Sequence, residues 1–136
     1  MVHRTTIAVR FGEIDPYNHV NHAAYVTYFE VARTEALAEV GLALHDLQSD
    51  GYQIVVTDLT VRYRRAAGAG DELTVETVVD EIRGASSVWR QRILCNGEVM
   101  ATAEVRGGVT DTTGRPARIP PEMRTRLETL TERPSD

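Results

Sequence analysis

A chain of 136 residues is one domain long and can bury roughly two-thirds of its unfolded surface. With 42% hydrophobic and 26% charged residues it reads as an ordinary soluble globular protein, and a net charge of -5 argues against a general nucleic-acid binder. No apolar run approaches the ~20 residues that cross a bilayer, Met1 to Thr6 lacks a signal-peptide core, and one cysteine, Cys95, precludes an intrachain disulfide. A reducing cytoplasm is the compartment this predicts.

Ile7, Val9 and Phe11 alternate with Thr6, Ala8 and Arg10, predicting a first strand over residues 4–12. Asp15 to His22 is turn, rich in Pro, Asn and Asp. Over residues 23–40 the pattern is helical, with apolar side chains around nearly the whole circumference. Only two narrow polar stripes interrupt it: Thr27, Glu30 and Thr34 on one side, Glu35 and Glu39 on another. Such a helix is expected to be mostly buried; Gly41 ends it, and residues 42–48 add a short helical turn.

Everything after Gly51 reads as strand. Val55, Thr57, Leu59, Val61 and Tyr63 form one face of a long strand, and Asp58, Thr60, Arg62 and Arg64 the other. Ala66 to Asp71 is a Gly-rich loop expected to be flexible, followed by alternation from Leu73 to Asp80 and a turn at Arg83 to Ala85. Residues 86–95 continue as strand and join through Asn96-Gly97, a hairpin signal, to the alternating run Val99 to Arg106. Pro120-Pro121 opens a short polar helix to about Leu130, with residues 131–136 expected to fray. No repeat, low-complexity tract or boundary divides residues 1–136, which read as a single domain. The order predicts an α+β fold: a curved antiparallel sheet of about five strands wrapped around one long central helix. One helix face left for a partner chain makes a homo-oligomer, dimer or tetramer, the natural expectation.

The most informative stretch is Arg10 to Glu30. A strand ends in a turn carrying Asp15, and the turn delivers the chain to the start of the apolar helix. That sets a carboxylate beside a helix N-terminus, whose free N–H groups attract developing negative charge. Attack on an acyl carbon uses such a pair; Asp15 can equally serve only as a turn and helix cap. No Gly-x-Ser-x-Gly elbow is present, which disfavours a serine hydrolase.

Phe11-Gly12-Glu13-Ile14-Asp15, then Val20 and His22, then Tyr25-Val26-Thr27-Tyr28-Phe29-Glu30-Val31-Ala32-Arg33 resemble the hotdog-fold acyl-CoA thioesterases of the 4-hydroxybenzoyl-CoA thioesterase group. Arg62 to Arg65 with Gly70 to Leu73 resembles that family's second strand and following turn. The likeness covers roughly residues 5–110, its specific part residues 10–33. Members usually place Gly three residues after the Asp; Asn18 stands there here, and Asn is the other residue that tolerates a left-handed turn.

The resemblance implies a hotdog fold and hydrolysis of an acyl-CoA or acyl-carrier-protein thioester. Asp15 would be nucleophile or general base, with N–H groups around His22 and Ala23 polarising the carbonyl. His22, matching a His or aromatic of related enzymes, would steer water, hold Asp15 or cap the helix. Asn18, His19, Ala23 and Tyr25 are further candidates for touching substrate; Asn18 and Asn21 read first as turn and N-cap residues, and Tyr25, Tyr28 and Phe29 as core. Arg64 and Arg65, with Arg62, can receive nucleotide phosphates or form a solvated strand edge; all fifteen basic residues are Arg, so usage does not separate these. Glu30 and Arg33 stand at ion-pair spacing, with Glu30 and Glu35 as reserve carboxylates. Asp15, His19 and His22 lack a fourth partner for a metal, and no cofactor is called for. Rival readings are a hydratase or dehydratase of enoyl or hydroxyacyl thioesters, whose usual Gly-Asp-x-Asn-Pro-like turn is not reproduced, and a non-catalytic acyl-binding protein.

Overall fold

The computed structural model describes residues 1–132. Strand β1 (His3–Ala8) leads through a single 3₁₀ turn (Phe11–Glu13) to helix α1 (His22–Glu39). A short helix α2 (Leu44–Ser49) precedes four long strands: β2 (Tyr52–Tyr63), β3 (Glu72–Ile82), β4 (Ser86–Cys95) and β5 (Glu98–Asp111). Helix α3 (Pro121–Glu128) closes the order. The five strands form one fully antiparallel sheet in the order β1-β3-β4-β5-β2. This is the α+β hotdog architecture expected: one helix lying on an open, curved sheet.

Helix α1 starts one residue earlier than its apolar pattern suggested, because Asn21 caps it: the Asn21 side chain accepts the Ala24 N–H at 2.9 Å and donates to the Glu13 carbonyl at 3.0 Å. Seven of its 18 residues are buried, among them Tyr25, Tyr28, Phe29 and Leu37. They pack over β1 and β3 and share one core with Trp89 and Ile93 of β4. The helix is therefore half-buried rather than mostly buried, with Val31 39% exposed. Gln91 crosses the core from β4, donating to the Phe29 carbonyl at 2.9 Å and to Thr77 Oγ1 at 3.0 Å. Its oxygen accepts from Arg33 at 2.9 Å, so every polar atom of this buried amide is satisfied.

Strand β2 departs from simple alternation. A bulge between Val56 and Asp58 lets Val56 pair with Gly107 and Asp58 with Arg106. Ile54 and Val56 thus share the helix side with Leu59, Val61 and Tyr63, whereas Val55 turns to the other face. The first strand also stops at Ala8, four residues short of the expected end, because Arg10 turns into the 3₁₀ segment. Past α3, Thr131 bridges Val79 and its carbonyl accepts from the Met1 amine at 2.6 Å. Residues 133–136 of the expected frayed tail lie outside the described residues.

Candidate active site at the start of the central helix

The turn from Ile14 to Val20 is built by main-chain bonds. Asp15 N–H donates to the His19 carbonyl at 2.7 Å, Asn18 N–H to the Asp15 carbonyl at 3.0 Å, and Ile14 bridges Val20. Asn18 takes φ 64°, a left-handed conformation that Asn tolerates better than other residues with a side chain. One oxygen of the Asp15 carboxylate, Oδ1, accepts the N–H of Tyr17 at 2.9 Å and of His19 at 3.1 Å. The other oxygen has no donor among the described residues. The carboxyl group is aimed by its own turn while half of it stays available.

The Ala66 to Asp71 loop is pinned against this turn, contrary to the expected flexibility. Ala67 is fully buried; its N–H donates to Tyr25 Oη at 3.0 Å and its carbonyl accepts Val20 N–H at 2.8 Å. Gly68 bridges His19 and donates to Asp71 at 2.8 Å. These contacts carry the end of β2 to the start of α1. The first residues of α1 leave donors free: among the described residues no acceptor takes the N–H of His22 or Ala23.

Asp15, His19, His22, Tyr25, Arg64 and Arg65 line one cavity of about 310 Å³, with Val20, Tyr63 and Ala66. Of the sequence candidates, Asn18 and Ala23 fall outside its wall, exposed on the adjoining turn and first helical turn, and Arg62 lines a groove with Arg4, Glu76 and Arg92 instead. Tyr25 is almost entirely buried and still contributes to the cavity wall. The imidazole of His22 makes no hydrogen bond to Asp15, and the capping role belongs to Asn21. Arg65 forms an exposed ion pair with Glu98 at 3.3 Å. The amides of Arg64 and Arg65 both donate to the Met100 carbonyl, at 2.8 and 3.1 Å, which turns the chain out of the sheet beside the cavity.

The reserve carboxylates sit elsewhere. Glu30 and Glu35 are exposed on α1 and absent from the cavity wall. The expected Glu30–Arg33 ion pair does not form among the described residues; Arg33 turns inward to Gln91, and burial lowers its pKa while Glu30 opposes the shift. Two residues that spacing did not single out hold the site together. Glu13 accepts the Tyr28 hydroxyl at 2.8 Å and the Arg10 N–H at 2.8 Å; burial and this carboxylate push the Tyr28 phenol well up. Tyr63 donates to the His22 carbonyl at 2.8 Å. Glu13 lies inside the recognised segment, but its contact with Tyr28 spans 15 positions, so spacing alone carried no signal.

A family model described as the thioesterase-like superfamily matches residues 9–127. The chain is 32% identical over 120 residues to the acyl-CoA thioesterase YbgC of Haemophilus influenzae, covering 87% of this chain and 88% of that protein. It is 30% identical over 130 residues to the long-chain acyl-CoA thioesterase FadM of Escherichia coli, covering 93% and 98%. Among solved structures it matches a hypothetical protein from Thermus thermophilus with a TM-score of 0.90 at 29% identity, covering 98% and 100%. It matches a DHNA-CoA thioesterase from Staphylococcus aureus with a TM-score of 0.88 at 26% identity, covering 95% and 90%. Matched by the family model over residues 9–127 and by relatives over most of its length, the chain belongs to the thioesterase-like superfamily and is a hotdog-fold thioester hydrolase.

Proposed function

We propose that the protein hydrolyses acyl-CoA thioesters through the free oxygen of Asp15. The observation that carries this is the divided Asp15 carboxylate: one oxygen is tethered by two main-chain amides, the other accepts no hydrogen bond among the described residues, and Asp15 lines the cavity beside the start of α1. Two routes use that oxygen. As nucleophile it attacks the thioester carbon, expels the thiolate and leaves a mixed anhydride that water cleaves. As general base it takes a proton from water as that water attacks, and the proton passes to the departing thiolate. In either route the electron pair displaced onto the carbonyl oxygen is met by the unpartnered N–H groups of His22 and Ala23. The His22 ring, on the same cavity wall, steers the water. Label in Asp15 after a single turnover in ¹⁸O-water marks the nucleophilic route, because water that cleaves the anhydride at the Asp15 carboxyl carbon leaves its oxygen there.

Arg64 and Arg65 are suited to the nucleotide phosphates. Arg64 has no ion pair among the described residues, and the exposed Arg65–Glu98 pair is weak enough to exchange for a phosphate. His19 and Tyr25 line the cavity, and Asn18 and Ala23 stand exposed on the turn and helix start beside it, within reach of a bound acyl-CoA. A second copy of the chain fits the open side of β2, where Val56 is 52% and Leu59 39% exposed on an unpaired edge. Such pairing gives a homodimer, or a tetramer of two, in the reducing cytoplasm that the single cysteine favours.

The decisive experiment compares thiol release from octanoyl-CoA and benzoyl-CoA by wild type and Asp15→Asn. The variant is expected to lose at least about a hundredfold in kcat with an unchanged Tm. Equal rates in the two proteins, or no thiol release by wild type, overturns the proposal.

A further inference from the structure

Tyr63 is the last residue of β2, and its hydroxyl reaches across to the first turn of α1, donating to the His22 carbonyl at 2.8 Å. That carbonyl and the Ala23 N–H are the two ends of one peptide group. A peptide whose oxygen accepts a hydrogen bond is polarised, and its N–H becomes a stronger donor. The Ala23 N–H is one of the two unpartnered donors at the helix start. Tyr63 therefore grips, from behind, the peptide that carries this donor, next to His22 in the cavity wall.

The grip is built from both ends. The Tyr63 ring stands edge-on to Tyr25, with centroids 5.3 Å apart and planes at 80°. Tyr25 is itself fixed, because its hydroxyl accepts the buried Ala67 N–H at 3.0 Å. Burial, and then Tyr25, raise the Tyr63 pKa, so the phenol stays protonated and remains a donor at neutral pH. Stability alone gives little reason for the bond. Tyr63 is 48% exposed, and water can satisfy the His22 carbonyl at this rim.

Resting on the hydrolysis reading above, we propose that Tyr63 is a positioning residue for thioester cleavage, orienting and strengthening the Ala23 N–H toward the oxyanion through the His22–Ala23 peptide. The bond does little for ground-state binding, because charge on the substrate oxygen develops only as the thioester is attacked.

Tyr63→Phe keeps the ring and removes the donor. In the octanoyl-CoA and benzoyl-CoA assays, kcat should fall about threefold to tenfold, with KM and Tm held. A fluoromethyl ketone analogue of octanoyl-CoA, which presents an oxyanion when bound, should weaken by the same factor. Unchanged kcat and analogue affinity, or a loss confined to KM or Tm, overturns the proposal. If Tyr63→Phe fails to fold, 3-fluorotyrosine at position 63 replaces it, a stronger donor of nearly the same shape. It should raise kcat about twofold at a pH that keeps it protonated, and an unchanged kcat overturns the proposal. Asp15→Asn runs alongside. An active Asp15→Asn overturns the Asp15 reading and leaves the Tyr63 result standing, whereas a wild type that releases no thiol overturns both.

Discussion

The two ends of the sheet follow similar alternation and meet opposite fates. At the β1 end, β3 buries Leu73, Val75, Thr77 and Val79 under α1, and Phe29 of the helix is completely enclosed. At the β2 end, Val56, Leu59 and Tyr63 point to the same side and stay exposed. Geometry explains the contrast. A helix is ~10–12 Å across with its side chains, and strands lie ~4.8 Å apart, so one helix covers two or three strands of five. Position in the sheet, rather than composition, decides which apolar face is finished within the chain and which is left for something else. The cavity with Asp15 opens where the two regimes meet, between the helix start and the end of β2.

The contrast can be broken most severely from its covered side. Phe29→Ala should cost about 3–5 kcal/mol, read as a Tm drop well beyond 10 °C, because the enclosed ring has no room to relax. On the open side, Leu59→Glu should leave the monomer folded, with under about 1 kcal/mol lost, yet abolish self-association in light scattering. A Tm loss as large as that of Phe29→Ala would show that both sides are finished alike. Arg64→Ala, at the junction, should raise KM for acyl-CoA about fivefold with kcat held, since it removes binding common to ground and transition states.

The smallest effect concerns the face turned away from the helix. There Glu76 joins Arg92 of β4, whose Nε donates at 3.0 Å, and Arg4 of β1 at 3.1 Å. The Arg92 hydrogen bond, against some desolvation, holds the Glu76 carboxyl below the usual range. A depressed carboxylate contributes stability above its unfolded pKa, and this is lost as pH falls through the lower folded value. Glu76→Gln should therefore cost about 1 kcal/mol near neutral pH, a few degrees in Tm, and reduce the acid-side loss of stability below about pH 4.5. Thermal melts from pH 7 to pH 3 read both.

Features set by near neighbours were legible from the sequence. Asn18 adopts the left-handed turn expected of it, and Asn96-Gly97 makes the hairpin, because each is dictated by residues within a few positions. The Asp15 turn and the cap at Asn21 were legible for the same reason. The departures all depend on distant partners. Arg33 left Glu30 for Gln91, 58 positions away, once the fold turned that helix face toward β4. The bulge at Thr57 inverted part of β2, and nothing in an unbroken alternation announces an extra residue. The Ala66 to Asp71 loop looked mobile from its glycines and is held by Val20 and Tyr25, some forty residues or more upstream.

The Asp15 tether draws on the amides of positions 17 and 19 and not on their side chains. Any residue other than proline supplies the same N–H. On the proposed mechanism the turn can therefore change what it shows an incoming acyl group, swapping Tyr17 or His19 for other shapes, while the Asp15 carboxylate keeps its tether.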